Sequence, residues 1–234
     1  MTLDPLLQEL RDAPQPVLRL RAALSGPEPR LVALLSGSFD PLTIGHALLA
    51  EAALGHAELV LLVYSVRTLP KEEELPGPLL SEDERLAILE AFCESRPGIE
   101  PALCSHGLLA DQVEAAAARF PASHLVLVMG SDKVRQLLDP KWYEDRDLAL
   151  RRLFSRATVL HTDRAGEPGR VEAMLRQPEN SSWRHRFQRL AVDPEAASIS
   201  SRLVREQLAA GQIVAHLVPA ESLALLEGKK RPSR

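Results

Sequence analysis

Residues 31–35, 58–64, 99–104, 124–129 and 157–161 form near-continuous apolar runs, the pattern of strands that are covered on both faces. Helical periodicity fills the segments between them. One such segment spans 47–54, and a second opens at the capping box Ser81-Glu82-Asp83-Glu84 and runs to about Cys93. A third spans 108–120, contains four consecutive alanines and is closed by Pro121; a fourth spans 147–154. Strand and helix alternating at this spacing predict an α/β fold, a doubly wound parallel sheet of Rossmann-like form.

The flanks are less regular. Leu3, Leu6, Leu7 and Leu10 sit at helical spacing, Pro14 and Pro16 end that pattern, and 17–24 begins a second short one. Residues 1–30 are thus expected as an N-terminal helical extension on a core of 31–228. Residues 163–188 are interrupted by Gly166, Pro168, Gly169 and Pro178 and yield no clear element. The basic stretch 183–189, with Trp183 and Phe187, reads as a helical face with snorkelling arginines in preference to an RNA contact. Residues 190–192 suggest a last short strand, and Ser200 or Ser201 caps a helix that ends near Gly211. Residues 213–217 with Leu223, Leu225 and Leu226 suggest a tail packed on the core, and 229–234 a charged, disordered end.

Composition narrows the function classes. A chain of 234 residues fits one large domain or one domain with elaborations. Its net charge of -4 argues against a nucleic-acid binder, so an anionic ligand must be met by local Arg and Lys. Cys93 and Cys104 show neither metal-ligand spacing nor a disulfide framework. No apolar run approaches the ~20 residues of a membrane helix, and Asp4 and Glu9 interrupt any signal-peptide pattern. A cytoplasmic setting without membrane contact is expected.

The stretch Gly37-Ser38-Phe39-Asp40-Pro41-Leu42-Thr43-Ile44-Gly45-His46 joins the first apolar run to the first helix. A strand, a glycine-containing turn and a helix N-terminus place backbone N–H groups and the helix dipole against an anion, usually phosphate. His46 stands three residues after Thr43, and Gly45 between them leaves room for a ligand to approach. A capping Thr beside an incidental His is the structural alternative. Gly130-Ser131-Asp132 follows the fourth run directly, with Asp132 placed either to accept from a sugar hydroxyl or to cap the next helix. Arg67 and Lys71, in the loop after the second run, are candidate phosphate contacts.

Gly37 to His46 resembles the G-S-F-D/N-P-x-T/H-x-G-H signature of the nucleotidylyltransferase superfamily. Ile199-Ser200-Ser201-Arg202-Leu203-Val204-Arg205 is similar to its second signature, I-S-S-T-x-I/V-R. Gly130-Ser131-Asp132 and Pro140-Lys141-Trp142 resemble elements of the nicotinamide and nicotinate mononucleotide adenylyltransferases, as does 85–89. The resemblance implies attack by an acceptor phosphate on the α-phosphorus of ATP, releasing pyrophosphate. It implies that His46 and Thr43 serve the α-phosphate, that Ser200, Ser201 and Arg205 hold the leaving phosphates, and that Gly37, Ser38, Phe39 and Gly45 complete the ATP site. Lys71, Gly130, Asp132 and Trp142 are implied for the acceptor, with Trp142 stacking on a pyridine ring; its own sequence context is equally that of a core tryptophan. Mg²⁺ is expected to arrive with ATP, without a dedicated protein metal site, and a homo-oligomer is compatible with the resemblance.

Two departures bear on the substrate. Thr43 stands where many bacterial nicotinate mononucleotide enzymes have His, and Arg202 where the second signature has Thr. Adenylyl or cytidylyl transfer to another phosphorylated small molecule such as phosphopantetheine is the alternative, as is a nucleotide-binding homologue without turnover. A dinucleotide-dependent oxidoreductase and a P-loop kinase are disfavoured, because neither G-x-G-x-x-G nor G-x-x-x-x-G-K occurs.

Overall fold

Strand β2 (Leu31–Gly37) forms the middle of the molecule, and its side chains alternate between two cores. Ala33 and Leu35 point to one face of the sheet and Val32 and Leu34 to the other, as the two-residue period of a strand requires. A computed structural model of the chain describes residues 5–24, 26–67 and 78–230. Among these residues a seven-stranded sheet runs β1-β4-β3-β2-β5-β6-β7. The remaining strands are β1 (Leu18–Leu20), β3 (Leu59–Ser65), β4 (Ile99–Cys104), β5 (His124–Gly130), β6 (Ala157–Thr162) and β7 (Phe187–Arg189). Every pairing is parallel except that of β1 with β4. This is the α/β doubly wound, Rossmann-like fold expected from the alternating pattern.

Helices cover both faces. On one side lie α1 (Pro5–Asp12), α2 (Ile44–Ala53), α3 (Glu82–Glu94), α9 (Ser201–Ala209) and α10 (Ala220–Lys230), which contribute Leu7, Ala50, Leu89, Val204 and Leu226 to that core. On the other lie α4 (Leu109–Arg119), α5 (Ser131–Leu138), α6 (Arg146–Arg156) and α7 (Arg170–Leu175), which contribute Val113, Leu137, Phe154 and Val171. The short α8 (Pro194–Ala197) precedes α9. Because β2 is flanked by β3 on one side and β5 on the other, the chain reverses its winding there, and a crevice opens beyond the carboxyl ends of these strands.

Four expectations are corrected. Residues 18–20 form an edge strand, not a second helical segment: Pro14 and Pro16 favour extended backbone, and Leu18 pairs antiparallel with Cys104. Three residues are too few for periodicity to separate helix from strand. The last strand is Phe187–Arg189 and not 190–192, although Leu190 N–H still donates to the His161 carbonyl at 2.8 Å. The stretch expected as a helical face is a 3₁₀ turn, Ser181–Arg186, that runs into β7, with Trp183 stacked on Phe154 at 5.2 Å. At the carboxyl end, α10 includes Lys229 and Lys230, two residues of the segment expected to be disordered; 231–234 lie outside the described residues.

Candidate active site

The crevice is a cleft of about 440 Å³, within the range of small-ligand sites. On its α2 side the backbone turns sharply through Phe39, whose φ is 44°, and reaches the N-terminus of α2. That terminus is closed by a capping box. Thr43 Oγ1 accepts from the His46 backbone N–H, and His46 Nδ1 accepts from the Thr43 N–H at 3.2 Å.

The box fixes the chemistry of the imidazole. Nδ1 accepts a hydrogen bond from the Thr43 amide, so in the neutral ring the hydrogen sits on Nε2, the nitrogen left for a ligand. Burial lowers the His46 pKa to about 4 from 6.5, which keeps the ring neutral near pH 7. Thr43 Oγ1 lies 2.8 Å from Nδ1 and donates its own proton to the Ile199 carbonyl at 2.8 Å. The first signature is therefore tied to the residue that opens the second.

Further ties join the two stretches. Ser201 Oγ donates to the Pro41 carbonyl at 2.8 Å, and Arg205 Nη1 donates to the Asp40 carbonyl at 2.7 Å. Ser200 caps α9 through the Leu203 N–H at 3.3 Å. A Cβ on Gly45 would lie 2.4 Å from the Ile199 carbonyl oxygen. The missing side chain at position 45 thus admits backbone of the second signature and not, as expected from sequence, a ligand. The result is two helix N-termini, those of α2 and α9, opening on one cleft, an arrangement suited to an extended polyanion.

Of the expected residues, Gly37, Ser38, Gly45 and His46 line the cleft from the first signature, and Ser200, Ser201 and Arg205 from the second. Gly130 and Asp132 line it from the end of β5, with Asp132 bonded to Arg164 Nη2 at 3.0 Å. Phe39 and Thr43 are fully buried behind the wall, Phe39 with its ring 5.2 Å from that of His46. Trp142 closes the 3₁₀ turn Pro140–Trp142 outside the cleft lining, with Lys141 Nζ 5.0 Å from its ring. Arg67 turns away to the Ser105 carbonyl at 3.0 Å and the Ala13 carbonyl, and Lys71 lies outside the described residues.

Other participants were missed. Thr162, Asp163 and Arg164 line the cleft from the end of β6, where the rule that placed Gly130 would have found them. Asp40, 5% exposed, accepts from the Leu79 and Leu80 N–H groups at 3.1 and 2.8 Å. Its carboxylate also lies 3.6 Å from Arg85 and 3.5 Å from Arg205. No sequence pattern signals that convergence, because its partners at 79–85 and at Arg205 lie far from it in sequence.

A doubly wound sheet with two such termini at its crevice defines a nucleotide-handling α/β protein. Residues 34–207 match the family model described as Cytidylyltransferase-like, and the chain belongs to that family of nucleotidyltransferases. It is 30% identical over 200 residues to a Myxococcus xanthus protein named "Probable nicotinate-nucleotide adenylyltransferase", covering 82% of this chain and 90% of the relative. A Carboxydothermus hydrogenoformans protein of the same name is 25% identical over 195 residues, covering 81% and 92%. The fold matches the solved structure of a Vibrio parahaemolyticus protein put forward as a nicotinate-nucleotide adenylyltransferase, with a TM-score of 0.52, 20% identity, and 84% and 99% of the two chains covered. Among the described residues no helix is long and apolar enough to cross a membrane.

Proposed function

We propose that the protein transfers an adenylyl group from ATP to the phosphate of nicotinate or nicotinamide mononucleotide, forming deamido-NAD or NAD and releasing pyrophosphate. An acceptor phosphate oxygen attacks the α-phosphorus; one P–O bond forms as the bond to the β-phosphate bridging oxygen breaks. The nucleophile is already anionic at neutral pH, so the reaction needs positioning and charge stabilisation and no general base. The observation that carries this reading is the joining of the two signatures through Thr43 and Ile199, which puts His46 and the start of α9 on one cleft.

In this reading the neutral His46 donates from Nε2 to an α-phosphate oxygen as negative charge grows there, and Thr43 holds the ring without touching substrate. The start of α9, with Ser200 and Arg205, receives the β and γ phosphates. Asp132 and Gly130 face the acceptor side. Mg²⁺, bound with the nucleotide, would supply neutralisation of phosphate charge, and no residue of this site would be needed to hold it. The site's own carboxylates suit that division: Asp132 is paired with Arg164, and Asp163 accepts from the Gly169 and Val171 N–H groups at 2.9 and 3.1 Å.

A panel of acceptors assayed for pyrophosphate release tests the proposal. Nicotinate and nicotinamide mononucleotide with ATP are expected to give turnover, and phosphopantetheine or CTP little. Turnover confined to CTP, or to a non-pyridine acceptor, would replace this reading with the corresponding transfer.

A further inference from the structure

Side chains on β3 alternate across the sheet. Tyr64 belongs to the core beneath α2 and α3, while Leu61 and Val63 belong to the core beneath α4. Ser65, last in the strand, follows Leu61 and Val63 to the α4 face, opposite the face that carries His46, and still lines the cleft. Its Oγ accepts a 2.8 Å hydrogen bond from Gln112 Nε2. Gln112 is fully buried in α4, and the same nitrogen also faces the carbonyls of Gly107 at 3.3 Å and His106 at 3.5 Å.

Those two carbonyls settle which end of the amide points at Ser65, since an oxygen there would face two acceptors. Gln112 engages one of the two lone pairs of the Ser65 hydroxyl, which keeps its proton to donate, and Ser65 lines the cleft. Gln112 Oε1 meanwhile is buried without a partner. A leucine would fill this helix position without that penalty but would take the donor from Ser65, its nearest partner, and from the two carbonyls. Gly107, just before α4, also lines the cleft.

We infer that Ser65 donates a hydrogen bond to an anionic oxygen of the acceptor, phosphate or carboxylate, and that Gln112 is the positioning residue that aims its hydroxyl. This rests on the adenylyl-transfer reading above. The nucleotide's anion seats lie on the α2 face, so a donor on the α4 face serves the other substrate.

Steady-state kinetics of Ser65→Ala, Ser65→Thr and Gln112→Leu, with nicotinate and with nicotinamide mononucleotide, test the inference. Ser65→Ala and Gln112→Leu are expected to raise the acceptor KM about tenfold, the order of a hydrogen bond to a charged group, with the KM for ATP unchanged. Ser65→Thr, which keeps a hydroxyl, is expected to restore it. A larger rise with the nicotinate compound identifies the ring carboxylate as the oxygen, and an equal rise identifies the phosphate. An acceptor KM of Ser65→Ala equal to that of the unaltered protein overturns the inference, and that variant decides the matter should Gln112→Leu fail to fold. If the unaltered protein releases no pyrophosphate, the adenylyl-transfer reading fails separately. Calorimetric titration of the mononucleotides into it and into Ser65→Ala then decides: weaker binding by the variant supports the donor, and equal binding or none overturns it.

Discussion

Arg205 Nη1 donates to the Asp40 backbone carbonyl at 2.7 Å and lies 3.5 Å from the Asp40 carboxylate, across 165 residues of sequence. The same carboxylate faces Arg85 on α3 and receives the N–H groups of Leu79 and Leu80. One buried side chain thus fastens the glycine turn, the residues just before α3 and the cation of the second signature. Removing it leaves Arg85 and Arg205, about one-tenth exposed, without their counter-charge.

Asp40→Ala is therefore expected to lower stability by about 3 kcal/mol, the order observed when one member of a buried pair is removed. Urea denaturation followed by circular dichroism measures it. Affinity for ATP is expected to fall as well, because Arg205 loses its anchor. A variant as stable as the unaltered protein would show that Asp40 does not hold these segments.

Gly45→Ala tests the contact between the signatures. The new Cβ would meet the Ile199 carbonyl at 2.4 Å, and backbone on both sides must yield. The expected cost is about 1–3 kcal/mol, typical of overpacking, together with a loss of turnover as Thr43 loses its grip on Ile199. Denaturation midpoints and kcat/KM measured on the same preparation check both outcomes.

His46→Ala is expected to lower kcat about 100-fold or more, the usual effect of deleting one transition-state donor, while the fold survives. His46→Gln, which keeps an N–H near the same place, is expected to retain more activity than the alanine variant. Rates within threefold of the unaltered protein for His46→Ala, about 0.7 kcal/mol in barrier, would remove the residue from the mechanism.

The lowered pKa of His46 also carries a stability signature. Folded, the ring titrates at about 4; unfolded, at its ordinary 6.5. Between those values the unfolded chain binds more protons, so the contribution of His46 to stability falls as pH drops from about 6.5 to about 4, and is flat above that window. Burial lowers His106, His124 and His161 as well, so the whole slope is not due to one ring. The loss of stability between pH 7 and 4.5 is expected to be smaller in His46→Gln than in the unaltered protein. Equal losses by urea titration would contradict the neutral state of the folded ring.

Much of this was legible in the chain, and for identifiable reasons. The strands at 99–104 and 124–129 and the helix after Ser81 were readable because a continuous apolar run and a capping box are local signals. His46 and Ser200 were readable because their spacing within each signature is local too. What stayed hidden depends on partners distant in sequence. Nothing near Ser201 indicates that its hydroxyl goes to Pro41, nothing near Gly45 points to Ile199, and nothing near Ser65 points to Gln112. Residues 18–20 were misread for the same reason: the edge of β4, which makes them a strand, lies more than eighty residues away.

One triphosphate is expected to span the turn holding His46 and the start of α9. A crystal structure of the protein with ATP and Mg²⁺ tests it directly. The expected result is an α-phosphate oxygen within hydrogen-bond distance of His46 Nε2, with the β and γ phosphates against Ser200 and Arg205. A triphosphate bound elsewhere, or one that leaves either of these two places untouched, would contradict the account.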